Sequence, residues 1–168
     1  MLLRIAGIEP ESIVDGPGYR FAIFVQGCPH HCPECHNPET HDFDGGRLVD
    51  TDEILPLLGK NPLVRGLTLS GGEPMLKAEP LLLLAKAAKA RGMNVWCYTG
   101  FTYEQLMETG DAAQKALLDV IDVLVDGPYV AAQRSLDLCF CGSRNQRLVD
   151  LNKTRAAGEI VLYDPQVW

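Results

Sequence analysis

The chain carries no apolar run approaching the roughly 20 residues that a bilayer-spanning helix requires, so no membrane segment of that kind is expected. Nor does it carry a basic run: 15 Lys and Arg stand against 22 Asp and Glu, a formal net charge of -7. With a pI near 5.0 there is no surface for neutralising phosphates, and nucleic acid is not expected as a partner. Met1-Leu2-Leu3-Arg4 lacks the layout of a secretory leader. Internal repeats, low-complexity tracts and linkers are missing as well, which points to a single domain over residues 1–168. Together these absences lead to the expectation of a cytoplasmic protein.

What the chain does have is 46% hydrophobic residues in a length of 168, enough for one good core and too little for two comfortable domains. It also has six cysteines. A reducing compartment keeps thiols from forming a disulfide scaffold, so clustered cysteines read first as metal ligands.

Residues 2–8 and 21–26 are apolar and β-branched and read as strands, separated by the turn-rich Asp15-Gly16-Pro17-Gly18. Asp50 with Glu53 has capping-box spacing ahead of a short helix whose regularity Pro56 limits. Residues 64–69 form a strand ending in Ser70-Gly71-Gly72-Glu73-Pro74, and a helix follows from Pro80 through Ala90, with Gly92 just past its end. The unit recurs as strand 94–98, the loop Thr99-Gly100, a helix opened by Thr102 and Gln105, and strand 121–125. Residues 129–143 show no period, and 146–151 read as a last strand.

Strands alternating with helices make the fold class α/β, either an open doubly wound sheet or a partial (open) parallel βα barrel; the barrel is the expectation. In parallel α/β folds the loops at the carboxyl ends of the strands share one face. The cysteine loop, Gly71-Gly72-Glu73-Pro74, Thr99-Gly100 and Asp126-Gly127-Pro128 should therefore converge on one pocket.

The segment Gly27-Cys28-Pro29-His30-His31-Cys32-Pro33-Glu34-Cys35-His36-Asn37 places three thiols within eight residues. An iron-sulfur cluster takes thiolates from a loop that wraps around it, and three protein ligands leave one iron free for a cofactor or substrate. Zinc is the alternative, with His30, His31 or His36 as a fourth ligand. A redox Cys-x-x-Cys pair is a third reading, although Cys32-Pro33-Glu34-Cys35 opens no evident helix.

Cys-x-x-x-Cys-x-x-Cys after a first barrel strand, followed by Gly71-Gly72-Glu73-Pro74 at the end of the next, resembles the signature of the radical S-adenosylmethionine (SAM) superfamily. Within it the chain is similar along its length to the small activases of glycyl-radical enzymes, those of anaerobic ribonucleotide reductase in particular. That likeness rests on residues 15–20, 27–37, 98–100 and 122–128, and on Gly142-Ser143-Arg144-Asn145-Gln146-Arg147.

The resemblance implies a 4Fe-4S cluster on Cys28, Cys32 and Cys35 as the catalytic centre, with one iron open to SAM. It further implies that Gly71, Gly72, Glu73 and Pro74 hold the methionine amino group, that the backbone of Glu34, Cys35 and His36 meets the adenine, and that Asp126 bonds the ribose hydroxyls. Reductive SAM cleavage would yield a carbon radical that takes hydrogen from a glycine of the partner, the large subunit of anaerobic ribonucleotide reductase. Flavodoxin or ferredoxin would supply the electron. Three departures from the family pattern stand out: Glu34 where activases often carry Gly, Cys97 where some relatives place a polar residue near the ribose, and Pro128-Tyr129 in place of a variable, often charged pair.

Plainer readings stand beside these. Asp126-Gly127 is a common turn pair, Arg20 reads as a surface cation or a docking residue, and Trp96, Tyr98 and Phe101 read as core or as the wall of a SAM pocket. Cys139 and Cys141 are too few for a closed metal site and read as free thiols. Two other functions compete with the activase: a radical SAM enzyme acting on a small molecule or another peptide, and a zinc-stabilised binding module.

Overall fold

Alternation along strand β2 (Arg20–Val25) gives the sheet two unlike faces. Phe21, Ile23 and Val25 point into an apolar core, whereas Arg20 and Phe24 point the other way. In the computed structural model, which describes residues 1–165, the same division runs through the neighbouring strands β4 (Gly66–Gly71), β5 (Asn94–Tyr98) and β6 (Val123–Asp126). Leu67, Leu69, Val95, Cys97 and Leu124 join the core, packed against Leu81, Leu84 and Ala85 of helix α2 (Ala78–Ala90) and Leu117 of helix α4 (Ala112–Val120). Cutting any one of those fully buried leucines to alanine would cost about 2–5 kcal/mol, which makes this layer the main source of stability. Thr68, Ser70, Trp96 and Tyr98 lie on the opposite, more polar face.

The described residues form one seven-stranded sheet in the order β3-β1-β2-β4-β5-β6-β7, where β1 is Leu2–Ser12, β3 is Arg47–Asp50 and β7 is Arg147–Asp150. Only β2, β4, β5 and β6 are mutually parallel. The expected parallel βα core is flanked by antiparallel strands: β1 runs antiparallel to both β2 and β3, and β7 runs antiparallel to β6. Parallel neighbours need a crossover, usually a helix, and neither the short 13–19 loop nor the 127–146 connection supplies a crossover helix.

Register aligns the strand ends. Val25 pairs with Gly71, and Tyr98 with Val125, so the loops after β2, β4, β5 and β6 leave from one edge of the sheet. Helix α1 (Thr51–Ile54) is capped by the Asp50 side chain and passes at once into a 3-10 turn at Leu55–Leu57, as Pro56 dictates. The capping box of Thr102 and Gln105 opens α3 (Tyr103–Thr109). Unanticipated elements are β3, α4 with its own Asp111–Gln114 capping box, and α5 (Leu151–Ala157). Among the described residues no helix is long and apolar enough to cross a membrane.

Arg20 corrects the reading as a surface cation, since it is 0% exposed. Its guanidinium donates to Thr68 Oγ1 at 2.7 Å, Pro17 O at 3.1 Å and Leu67 O at 3.1 Å, and sits 5.5 Å from the Trp96 ring centroid. Burial pulls its pKa down to about 10. Thr68 in turn donates to Asp15 O at 2.8 Å, so one buried cation pins the 13–19 loop across the polar face. Arg20→Ala is expected to destabilise the chain by about 3 kcal/mol in urea unfolding, because it empties the site and orphans three acceptors.

Candidate active site

The cysteine loop begins where β2 ends. Gly27 N donates to Thr40 O at 2.7 Å, Cys28 N to His41 O at 3.2 Å, and Cys35 N to Cys32 O at 3.2 Å, which folds the loop back over the strand ends. Asn37 N donates to the Cys35 Sγ at 3.4 Å, and the Thr40 hydroxyl to Asn37 O at 2.6 Å. His31 and Glu34 take left-handed backbone angles, φ +49° and +58°. A glycine at the position of Glu34 would enter that region without a Cβ penalty. Glu34→Gly is expected to raise the unfolding free energy by about 1 kcal/mol and leave iron uptake unchanged, measured by urea titration and iron analysis.

The segment after β4 locks onto this loop through Glu73, whose side chain is wholly buried. Glu73 N donates to Gly27 O at 2.8 Å. Its carboxylate accepts from His30 Nε2 at 2.6 Å, Gly100 N at 2.8 Å, Thr99 Oγ1 at 2.9 Å and Met75 N at 2.9 Å. Four donors leave this buried carboxylate with its hydrogen-bonding capacity met. Glu73 therefore binds together the loops after β2, β4 and β5, and its oxygens face protein donors. Pro74, also buried, starts the 3-10 turn Pro74–Lys77.

These loops border a cavity of about 670 Å³, within the usual range of ligand sites. Cys28, Cys32, Cys35 and His36 line it from one side, Gly71 and Gly72 from the β4 end, and Tyr98, Thr99, Gly100 and Gly127 from the neighbouring strand ends. The convergence expected of parallel strand ends is present. Glu34, Glu73, Pro74 and Asp126 are not among the lining residues. Tyr98, half-buried on the wall, has its phenol raised well above the ordinary range by desolvation.

Asp126, expected to bond the ribose hydroxyls, is already engaged by partners within the chain. It is 1% exposed, and its carboxylate accepts from Arg147 Nε at 3.0 Å, Arg147 Nη2 at 2.5 Å and Tyr103 N at 2.8 Å. Arg147 reaches on to Glu104 at 2.6 Å, and the Asp126 hydrogen bond holds its guanidinium firmly charged. A strand-end aspartate is legible in the sequence; an arginine 21 positions later that claims both its oxygens is not.

The donor chemistry suits a cluster with an open iron: three thiols on one wall, facing glycine backbone. Burial raises the Cys28 thiol above its usual range, partly offset by the His30 amide. A single zinc would draw on the same thiols with a histidine as the fourth ligand, and among the described residues no three His, Cys, Asp or Glu side chains, the loop cysteines included, are gathered around one point, which bears on zinc and iron alike. Of the histidines considered for zinc, His30 is committed to Glu73, and His31 and His36 pack edge-on or tilted against His41 and Tyr129. Cys97 is fully buried on the helix side and burial drives its thiol up, which removes it from the ribose question. Cys139 is exposed, while Cys141 lines the cavity.

Comparison with known proteins agrees with this geometry. The model of a family described as a 4Fe-4S single cluster domain matches residues 14–149. The chain is 36% identical over 145 residues to the anaerobic ribonucleoside-triphosphate reductase-activating protein of Haemophilus influenzae, covering 82% of this chain and 91% of that protein. The protein of the same name from Enterobacteria phage T4 is 34% identical over 147 residues, covering 84% and 90%. The pyruvate formate-lyase-activating enzyme of Clostridium pasteurianum is 38% identical over 130 residues, covering 74% of this chain and 55% of the enzyme. The chain belongs to the anaerobic ribonucleoside-triphosphate reductase-activating proteins, radical SAM activases built on a 4Fe-4S single cluster domain.

Proposed function

We propose that this chain is a single-domain activase, folded as an open βα barrel, that cleaves SAM reductively and installs a glycyl radical on the large subunit of an anaerobic ribonucleotide reductase. The observation that carries the reading is the convergence of Cys28, Cys32 and Cys35 with the Gly71-Gly72 edge on one cavity. The three cysteines hold the cluster. Gly71 and Gly72 offer backbone groups to the methionine end of SAM with no side chain in the way. The turn around Cys35 and His36 meets the adenine through its backbone, and Gly127 with Tyr98 closes the far wall. When bound, cluster and SAM supply the electron transfer and the hydrogen-abstracting carbon centre.

The protein's share is placement and exclusion of water. The Arg20–Trp96 layer on the polar face of the sheet and the Glu73 hub fix the positions of the strand-end loops, so the cavity is rigid before anything enters it. Flavodoxin or ferredoxin is the electron donor, and the cytoplasm, where thiols stay reduced, is the compartment.

The test is electron paramagnetic resonance on the anaerobically reconstituted chain, reduced, given SAM and mixed with an anaerobic reductase. A glycyl doublet is the expected result. Cluster formation and SAM cleavage without a doublet would keep the radical SAM chemistry and remove the partner. No cluster at all would remove both.

A further inference from the structure

We infer that His30 is a positioning residue that sets the distance between the cysteine loop and the Gly-Gly-Glu-Pro segment, and so tunes SAM affinity without holding iron. This rests on the cluster-and-SAM reading above. His30 lies between two of the proposed ligand cysteines and touches both sides of the site. Its backbone belongs to the cysteine loop, and its Nε2 donates across to Glu73 Oε1 at 2.6 Å. The imidazole is 16% exposed on the cavity wall, held edge-on to Phe101 at 4.7 Å between ring centroids.

The fit around the ring is tight. A Cβ on Gly100 would stand 2.4 Å from His30 Cδ2, so the residue after Thr99 is glycine because the imidazole occupies its side-chain space. Gly100 N and Thr99 Oγ1 donate to the same carboxylate oxygen that takes His30. Three loops from three parallel strands thus meet at one buried atom, and His30 is the side chain through which the cysteine loop joins them.

A ligand that must chelate iron on one loop and hydrogen-bond backbone on another reads the separation of those loops directly. With the His30–Glu73 bond in place the separation is set before the ligand arrives. Without it the cysteines remain, and the backbone bonds of Gly27 to Glu73 and of Val25 to Gly72 still join the two half-sites, which then shift more readily relative to each other. The chain then loads iron normally and binds SAM poorly.

The experiment uses the reconstituted full chain with its cluster oxidised, so that SAM binds without turnover. Iron per chain, urea stability and SAM affinity by equilibrium dialysis are measured for wild type, His30→Phe, His30→Gln, Glu73→Gln and the double variant His30→Phe/Glu73→Gln. Phenylalanine keeps the ring against Phe101 and deletes the hydrogen bond; glutamine restores a donor at similar reach. His30→Phe should keep its iron and lose SAM affinity by about tenfold or more, the range seen when outer-shell partners of metal sites are removed. His30→Gln should recover most of that loss, and the double variant should bind no worse than the weaker single one, because the two residues act as one link.

Unchanged SAM affinity in His30→Phe, losses that multiply in the double variant, or iron falling in step with affinity would each overturn the inference. If Glu73→Gln does not fold, the Phe and Gln variants of His30 decide the matter alone. A wild-type chain that carries its cluster yet binds no SAM would instead remove the proposed function on which this rests.

Discussion

Cys32→Ala is expected to leave a folded chain that no longer assembles its cluster and cleaves SAM on the order of a thousandfold more slowly or less, about 4 kcal/mol in barrier terms. Cys32 is half-exposed on the cavity wall and belongs to no packed core, so its sulfur contributes to iron ligation and little else. Apo-protein stability should move by no more than about 0.5 kcal/mol. Cys97→Ser is the matching control, with the opposite signature. Cys97 is 0% exposed in the helix-side core, where a hydroxyl has to find a partner, so that variant should lose about 1–3 kcal/mol of stability and keep its iron. Iron and sulfide analysis, the visible absorbance of the cluster and urea unfolding on both variants separate ligand from packing. A colourless wild-type chain that takes up one zinc, lost together with the fold in Cys32→Ala, would return the loop to a structural metal site.

The sequence made the cysteine loop and the strand-end loops legible because both are local. Three thiols in eight residues need no tertiary information to be noticed, and a strand that ends in Gly-Gly-Glu-Pro announces an exposed backbone. The strands at 94–98 and 121–125 are equally plain from their apolar runs, and β5 matches its expected bounds. What escaped is what depends on distant pairing. β3 is a four-residue strand that exists because Leu2 through Ile5 offers an edge to it, and nothing in Arg47-Leu48-Val49-Asp50 by itself distinguishes it from a loop. Arg20 reads as a surface cation until Thr68, Leu67 and Trp96 are brought around it from other strands. Asp126 reads as a turn residue or a ribose contact until Arg147 is brought against it. Glu73 was legible as part of the site, yet its role as a hub required knowing that His30 and Thr99 stand on either side of it. Motif letters identify a site; partners of charged groups appear only with the fold.

Gly72→Ala tests that hub from the side of sterics. A Cβ at Gly72 would lie 2.3 Å from Gly27 O and 2.8 Å from Gly27 C, both backbone atoms that cannot swing aside as a side chain would. The Gly27 peptide is moreover held from two directions, its N donating to Thr40 O at 2.7 Å and its O accepting from Glu73 N at 2.8 Å. Inserting a methyl group therefore pushes the β4 end away from the cysteine loop and breaks the Glu73–Gly27 bond, a combined loss of about 3 kcal/mol. Urea unfolding of the apo chain should show that drop, and the reconstituted variant should take up less iron and bind no measurable SAM. Gly7→Ala supplies the baseline, since nothing lies within 4 Å of a Cβ there and the change should stay within about 0.5 kcal/mol. If the two variants behave alike, the close approach of the two loops is not a constraint on the site, and the positions of the cysteines and of Gly71-Gly72 are set independently. If Gly72→Ala alone loses stability and SAM together, the glycine is there to let one backbone rest on another, with the cofactor site formed along that contact.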